Sequence, residues 1–160
     1  MKKVLFFFCF LGISQFTTAQ VFTPVELSYE YQLVSADEYE IRVIVDLDKK
    51  WCAYSMNLPE DGPIPTSLGI SNSTNLKIIG TPKEKKGKGG KKVTGLDEMF
   101  DMDLTKYYGR AIFSVRCKVI DTTQPVKLEL DFEYMTCDGE RCLSPKFVTT
   151  EKELKQHLKK

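Results

Sequence analysis

Two cysteines separated by four residues, Cys137 and Cys142, have the spacing in this chain that best suits chemistry. The Asp-Gly pair within residues 138–141 favours a hairpin turn, which would bring the cysteines opposite each other. Residues opposite each other across a ladder have Cβ atoms about 4.5–5.5 Å apart, whereas a disulfide prefers about 3.5–4.5 Å. We therefore expect a disulfide that closes under strain and is readily reduced. A redox couple, a passive hairpin disulfide and a zinc site that lacks a second ligand pair all remain open.

The orientation of this pair can be estimated from the segment that precedes it. Apolar residues occupy the even positions from Val126 to Tyr134, so an uninterrupted strand would put Cys137 on the solvated face. Its sulfur would then be within reach of a partner protein. Arg141, and any lysine nearby, would favour the thiolate of the reduced pair.

Cys52 and Cys117 are candidates for a structural disulfide. In the chain-entropy estimate, closing their long loop stabilises the fold by about 4 kcal/mol, compared with about 2 kcal/mol for the short loop of the other pair. Cys117 also lies on the apolar face of its predicted strand, between Val115 and Val119. The alternative is that Cys52 and Cys117 are two buried free thiols.

Strict alternation of apolar and polar residues predicts four long strands, each with one buried and one solvated face. Their apolar positions are Val25, Leu27, Tyr29, Tyr31 and Leu33; Ile41, Val43, Val45 and Leu47; Phe113, Val115, Cys117 and Val119; and Val126, Leu128, Leu130, Phe132 and Tyr134. Shorter strands are expected at residues 51–56, 67–71, 76–81 and 143–149. The spacing of strands and turn residues predicts an all-β protein, an antiparallel β-sandwich.

Three segments are predicted to lie outside the sheets. The lysine- and glycine-rich residues 82–92 are expected to form a solvated, mobile loop. Residues 93–109 mix acidic, aromatic and methionine side chains, which indicates a loop that covers another part of the molecule. A short helix is expected near the C-terminus because Thr150 and Glu153 form a capping box.

The N-terminus has the pattern of a secretory signal peptide in residues 1–19. Lys2 and Lys3 precede an apolar stretch that is too short to span a bilayer, and small residues end at Ala19. We therefore expect one exported domain over residues 20–160, in the periplasm or secreted, where disulfides can form. The formal net charge of the whole chain is +1, so nothing in it favours nucleic acid or an anionic membrane as a partner.

Several motifs resemble those of a known family in their order along the chain. The segment YMTCDGERCLSP has an aromatic strand end, two cysteines and a following proline, and KKWCAYSM resembles a Trp-x-x-Tyr-Ser strand. GPIPTSL resembles a Gly-Pro-x-Pro-Thr turn, and LDEMF and KYYGRAIF resemble a segment that caps the cysteines. Together they are similar to the N-terminal periplasmic domain of DsbD, the thiol:disulfide interchange protein, and especially to its short exported forms that stand alone.

This resemblance implies an immunoglobulin-like β-sandwich with a cap loop over a cysteine pair. It also implies that Cys137 and Cys142 are a redox couple, which passes two electrons to thioredoxin-like proteins and regains them from a separate membrane electron donor of the DsbD type. The electrons would serve cytochrome c biogenesis, disulfide correction or peroxide defence. In the family the first cysteine is often buried and the second forms the intermolecular bond. The resemblance thus favours Cys142 as the attacking residue, whereas the alternation of the preceding strand favours Cys137.

The cap implied by the resemblance contains four candidate residues, Asp97, Glu98, Phe100 and Tyr107. An aromatic lid would shield a reduced couple from wrong oxidants and move aside for a true partner. Phe100 and Tyr107 compete for this role. We favour Phe100 because Asp97 and Glu98 beside it would influence the pKa of the thiols.

Two other functions remain open beside that of a protein thiol–disulfide oxidoreductase. The chain could be a non-catalytic immunoglobulin-like binding module whose disulfides only stabilise it. It could also handle copper, since Met99 and Met102 with the cysteine pair offer soft ligands, although methionines in a covering loop more often pack. For the favoured function we expect no cofactor, no metal, no nucleic acid and a monomeric protein.

Overall fold

The computed structural model describes residues 22–154, and these contain strands but no helix. The predicted signal peptide lies outside the described residues. No helix long and apolar enough to cross a membrane is found in residues 22–154. The strands of this part of the chain are β1 (Val25–Leu33), β2 (Glu38–Leu47), β3 (Cys52–Tyr54), β4 (Ser67–Thr74), β5 (Leu76–Lys86), β6 (Lys91–Asp97), β7 (Met102–Tyr108), β8 (Arg110–Val119), β9 (Val126–Tyr134), β10 (Thr136–Cys137) and β11 (Lys146–Leu154).

The strands form three antiparallel sheets, two of which face each other across the main core. One of these has the strand order β1-β2-β8-β5 and the other β11-β9-β4. Their apolar faces meet because β2, β8 and β9 alternate strictly between buried and more exposed residues. The rings of Phe113 on β8 and Phe132 on β9 lie 5.5 Å apart across this core. The predicted all-β fold, an antiparallel sandwich, is confirmed.

A third sheet, with the order β10-β3-β7-β6, carries the cysteine pair and is called the small sheet below. One face of it packs on the main core through Ala53 and Tyr107, and the ring of Tyr107 lies 5.9 Å from that of Phe113. The other face holds a second buried cluster that includes Cys52 and Cys137. Since successive residues of a strand point to opposite faces, β3 and β7 contribute alternate side chains to the core and to the cysteine cluster.

The predicted loop at residues 82–92 is wrong, because β5 continues to Lys86 and β6 begins at Lys91. Both strands lie at the edge of their sheets. Lysines suit such strands because their charges hinder pairing with the strands of another chain. The connection between the two strands is tight: Gly90 packs directly on the backbone of Arg110, which leaves no room for a Cβ atom.

The predicted loop at residues 93–109 is also wrong, because most of these residues form the hairpin of β6 and β7. The turn at its tip, residues 98–101, is called the cap tip below. The expected C-terminal helix does not begin at Thr150 and Glu153, since both belong to β11, which pairs with β9 along its whole length. Hydrogen bonds of this ladder outweigh the local capping signal. The residues after β11 lie outside the described part of the chain.

Candidate functional site

Cys137 and Cys142 are joined by a disulfide, and their Cα atoms lie 4.1 Å apart. The two residues face each other in an antiparallel bridge, so the hairpin predicted from their spacing is confirmed. The backbone N–H of Leu143 donates to the carbonyl oxygen of Thr136 at 2.9 Å, which extends the hairpin beyond the bond. The backbone turn, and not the bond alone, therefore holds the two cysteines opposite each other.

The turn between the cysteines is organised by Asp138. Its Oδ1 atom accepts hydrogen bonds from the backbone N–H groups of Arg141 and Glu140, at 3.0 and 3.1 Å. These bonds hold the pKa of Asp138 below its ordinary value. Gly139 has a φ of 94°, which residues with a Cβ atom rarely adopt. The Asp-Gly pair is thus explained by the backbone conformation of the turn.

The cation that the sequence predicts near the couple, Arg141, contacts other groups. Its Nε atom lies 3.4 Å from Oδ2 of Asp138. Its guanidinium carbon lies 5.6 Å from the centroid of the Trp51 ring and 6.0 Å from that of Phe22. A positive side chain that does line a cavity together with Cys137 is Lys106.

The two sulfurs of the disulfide differ in their access to solvent. Cys137 is 1% exposed, whereas Cys142 is partly exposed. The prediction of a solvated Cys137 is wrong because β9 ends at Tyr134 and the chain then joins a different sheet as β10. The alternation of β9 therefore does not continue to Cys137. Cys142 is thus the more accessible cysteine of the pair.

Cys52 lies beside the disulfide on the small sheet. It is the register partner of Cys137 across β3 and β10, and of Tyr108 across β3 and β7. Burial raises the pKa of the Cys52 thiol, and the backbone N–H of Cys137 and the charge of Lys106 only partly offset this. Cys52, Cys137 and Lys106 line a cavity of about 210 Å³ that the cap tip borders.

The predicted structural disulfide between Cys52 and Cys117 is wrong, since both residues are buried free thiols. Cys117 lies on β8 in the main core, opposite Tyr39 and Ile78, whereas Cys52 belongs to the second cluster on the small sheet. The two side chains thus point into different parts of the molecule. Burial raises the pKa of Cys117 to about 12, so it is an inert packing residue.

The cap tip meets the disulfide through Met99 and packs on the cysteine cluster through Phe100. The Sδ atom of Met99 lies 4.0 Å from the Sγ atom of Cys142. The ring of Phe100 packs edge-on against that of Tyr54 at 5.9 Å, and both rings belong to the cluster that contains the cysteines. Met99 is 39% exposed, and its contact with Cys142 is the one that brings the tip to the disulfide. Its contact with Cys142 depends on the shape of the turn, for which the sequence carries no periodic signal.

Asp97 at the end of β6 anchors the cap tip. Its carboxylate accepts a hydrogen bond from the backbone N–H of Met99 at 2.9 Å, and its carbonyl accepts one from Phe100 at 3.2 Å. The other carboxylate oxygen lies 2.9 Å from Nζ of Lys106 and accepts a bond from the Tyr54 hydroxyl at 3.2 Å. Burial alone would raise the pKa of Asp97, but the hydrogen bonds from Lys106 and Met99 hold it below its ordinary value. Asp97 is therefore a buried carboxylate that ties the tip to β7 and β3.

The other two predicted cap residues lie in different places. Glu98 is exposed on the cap tip and borders the cavity. Tyr107 is not part of the cap: it is fully buried on the core face of β7, and its neighbour Tyr108 lies on the side of the cysteines. Alternation causes this difference, because adjacent residues of one strand must point to opposite faces.

No group of three or more His, Cys, Asp or Glu side chains in residues 22–154 is placed to hold a metal ion. The two cysteines of the copper hypothesis are bonded to each other, so neither offers a thiolate ligand in this state. The site instead combines one accessible sulfur, one buried sulfur and a covering turn. That arrangement is suited to thiol–disulfide exchange.

Comparison with known proteins finds similarity among solved structures. No protein-family model matches the chain, and no curated protein does. The chain is similar to the crystal structure of the Neisseria meningitidis DsbD N-terminal domain in the reduced form, with 21% identity, a TM-score of 0.48 and coverage of 80% of this chain and 83% of that chain. It is also similar to the yeast GGA1 GAE domain–P21 structure, with 10% identity, a TM-score of 0.42 and coverage of 82% and 91%. The first of these belongs to the family that the sequence motifs resemble.

Proposed function

We propose that this protein carries out thiol–disulfide exchange through Cys137 and Cys142, and that it passes electrons from a membrane reductant to thioredoxin-like partner proteins. The observation that carries the proposal is the asymmetry of the disulfide, in which Cys142 is partly exposed and Cys137 is buried. A bond that closes so short a loop stabilises the fold by only about 2 kcal/mol in the chain-entropy estimate. A well-packed core already exists elsewhere in the molecule, so stability alone does not explain a bond at this place.

The reaction begins with the reduced protein. The Cys142 thiolate attacks one sulfur of the partner's disulfide, a mixed disulfide forms, and the partner's other sulfur leaves as a thiolate. The Cys137 thiolate then attacks Sγ of Cys142, which forms the Cys137–Cys142 bond and releases the second thiolate of the partner. The partner has gained two electrons and takes up two protons from solvent. Cys137 and Cys142 have released two protons to solvent, so the protons balance. The hairpin supports the second step because it keeps Cys137 opposite Cys142.

The reverse sequence returns the protein to its reduced state. A thiolate of the electron donor attacks Cys142, because this is the accessible sulfur, and Cys137 leaves as a thiolate. The donor's second thiolate then closes a disulfide within the donor and frees Cys142. The leader pattern in residues 1–19 supports export, which would place these reactions in the periplasm or outside the cell.

The cap tip controls which molecules reach the couple. Met99 contacts Cys142, and Phe100 closes the same cluster on the side of Tyr54. Movement of this turn would expose Cys142 to a docking partner while β6 and β7 stay paired. In its closed position it hinders the approach of small oxidants to the reduced couple.

Trapping of a mixed disulfide tests the proposal. Reduced protein carrying Cys137→Ser and Cys52→Ser is mixed with a thioredoxin-like protein whose second active-site cysteine is replaced by serine and whose accessible cysteine is activated as a mixed disulfide with thionitrobenzoate. Cys142 can then attack with thionitrobenzoate as the leaving group, and neither protein keeps a neighbouring thiol that could resolve the complex. We expect a covalent one-to-one complex that dithiothreitol separates. The matched control carries Cys142→Ser and Cys52→Ser, and its buried Cys137 should form little complex.

Two results would overturn the proposed function. In the first, Cys142 reacts with a small alkylating agent, which shows that it is accessible, but no thioredoxin-like protein of a panel forms a complex with it. The other is equal complex formation by the two variants, which would show that the accessible position of Cys142 is irrelevant. A non-catalytic binding module predicts the first of these results.

A further inference from the structure

Three cysteines lie in one row across the small sheet. Cys137 faces Cys142 across the hairpin and faces Cys52 across the pairing of β10 with β3. Residues directly opposite in antiparallel strands have side chains on the same face. The three residues accordingly belong to the same cluster, in which Cys52 is 3% exposed. Cys137 is therefore the central residue of the row, with one cysteine on each side.

This order matters for the chemistry of disulfides. A thiolate attacks one sulfur of a disulfide and the other sulfur leaves, and the three sulfurs lie close to a straight line during the exchange. The Cys142–Cys137 bond runs across the strands, and Cys52 lies on the far side of Cys137 along the same direction. Opposite residues have Cβ atoms about 4.5–5.5 Å apart, a separation that side-chain rotation and a small strand shift can close to a disulfide. Cys52 thus occupies the position of an attacking group, with Cys142 as the leaving group.

We propose that Cys52 is a third redox thiol, which exchanges with the Cys137–Cys142 disulfide inside the folded protein. The Cys52 thiolate attacks Sγ of Cys137, a Cys52–Cys137 bond forms, the Cys137–Cys142 bond breaks, and Cys142 leaves as a thiolate. No electron is gained or lost overall. The proton that Cys52 gives to solvent is balanced by the one that Cys142 takes up, so no outside oxidant or reductant is needed.

The surroundings of Cys52 allow this exchange. Cys52 and Cys137 line the same cavity of about 210 Å³, which gives the Cys52 side chain room to rotate. The titratable groups that face Cys52 are Lys106, Asp97 and Tyr108, which interact with its thiol, and Tyr54, whose pKa is raised by burial and further by the Cys52 thiolate. Burial raises the pKa of Cys52, so the thiolate is a minor species at neutral pH and the exchange is slow there.

The exchange gives the oxidised protein two forms with different surfaces. In one form the Cys137–Cys142 bond is closed, and in the other the buried Cys52–Cys137 bond leaves Cys142 as a free thiol beneath the cap tip. The second form can attack a disulfide of a partner without any net transfer of electrons, which is the chemistry of disulfide rearrangement. This consequence rests on the proposed function, whereas the exchange within the chain does not.

The first test uses Cys142→Ser, which removes the competing bond. The reduced variant is oxidised with a small disulfide, quenched with acid and digested without reduction, and the linked peptides are identified by mass spectrometry. We expect a Cys52–Cys137 link in most of the chains. The matched control is Cys137→Ser, in which Cys52 and Cys142 remain on either side of a serine and should stay unlinked. A Cys142→Ser variant in which Cys52 and Cys137 remain separate would overturn the proposal.

The second test follows the oxidised wild-type protein, whose fold is not altered. It is incubated with iodoacetamide at rising pH, and we expect alkylation of Cys142 together with the appearance of the Cys52–Cys137 link. Cys52→Ser should abolish this alkylation, and Cys117→Ser should not change it. Retention of the Cys137–Cys142 link in all wild-type chains, with Cys142 unmodified throughout, would overturn the proposal. The trapping experiment above lacks Cys52, so its outcome judges the proposed function separately.

Discussion

Replacement of Phe100 by alanine is predicted to speed oxidation of the reduced couple by small oxidants. Phe100 is half-buried on the cap tip and packs edge-on against Tyr54. Its loss weakens the closed position of the tip, while the paired strands β6 and β7 stay in place. Oxidants whose approach to Cys142 the closed tip hinders will then react more often.

The size of the effect can be worked out from this packing. Replacing a fully buried Phe by Ala costs about 3–5 kcal/mol, so a half-buried one costs about 1.5–2.5 kcal/mol. Part of this is the edge-on pair with Tyr54, worth about 0.5–1.5 kcal/mol. Since 1.4 kcal/mol changes an equilibrium constant about tenfold, opening of the tip should become about 10–60 times more frequent. Oxidation through the open state should speed up by the same factor.

The assay measures the oxidation rate of anaerobically reduced protein after addition of a small disulfide, by acid quenching and mass spectrometry. Phe147→Ala is the matched control, because Phe147 is 64% exposed on β11 and its loss removes little packing. The control should oxidise at the wild-type rate. A folded Phe100→Ala variant that oxidises within about twofold of wild type, far below the expected factor, would refute the role of Phe100 as a lid.

Three further predictions concern buried groups. Lys106→Met should lower the free energy of unfolding, measured in urea, by about 3 kcal/mol, because it leaves the buried Asp97 carboxylate without its cation. The control is Asp46→Asn, which breaks the exposed ion pair with Arg110 and should change the free energy of unfolding little. Burial alone would raise the pKa of Asp97, but its hydrogen bonds from Lys106 and Met99 hold this pKa below 3.8. The melting temperature should therefore fall as the pH drops below 3.8, and it should fall less in the Asp97→Asn variant. The Cys117 thiol, whose pKa is raised by burial to about 12, should resist iodoacetamide in the folded protein and react once urea unfolds it. The first prediction is contradicted if the two ion-pair variants are equally stable. The second is contradicted if wild type and Asp97→Asn lose stability equally in acid, and the third if Cys117 is readily alkylated in the folded protein.

The long strands of the sandwich could be predicted from the sequence because alternation records which face is buried. In β2, β8 and β9 the apolar residues that the pattern selects are the ones that the fold buries. β7 could not be predicted in this way because the alternation breaks within it. Polar Asp103 and Thr105 share a face with Tyr107, which packs on the main core, whereas Lys106 lies between Leu104 and Tyr108 on the face of the cysteine cluster.

The hairpin disulfide could be predicted because Cys137 and Cys142 are close in the chain and an Asp-Gly turn joins them. The position of Cys52 beside this disulfide could not be predicted, because it depends on the pairing of β3 with β10, two strands that are far apart in the sequence. Loop entropy favoured Cys117 as the partner of Cys52, but a disulfide requires Cα atoms within about 7 Å of each other and Cβ atoms that point together. Cys117 points into the main core and Cys52 into the cysteine cluster of another sheet, so the entropic preference could not act.

The reduction potential of the Cys137–Cys142 bond tests the central claim most directly. The protein is equilibrated without oxygen in dithiothreitol or glutathione buffers of known potential, quenched with acid and alkylated, and the bonded fraction is measured by mass spectrometry. A working couple should be half-reduced at a potential above about −300 mV, where donor proteins of an exporting compartment can supply its electrons. A bond that stays closed down to potentials below about −300 mV would be a structural disulfide and would contradict the account.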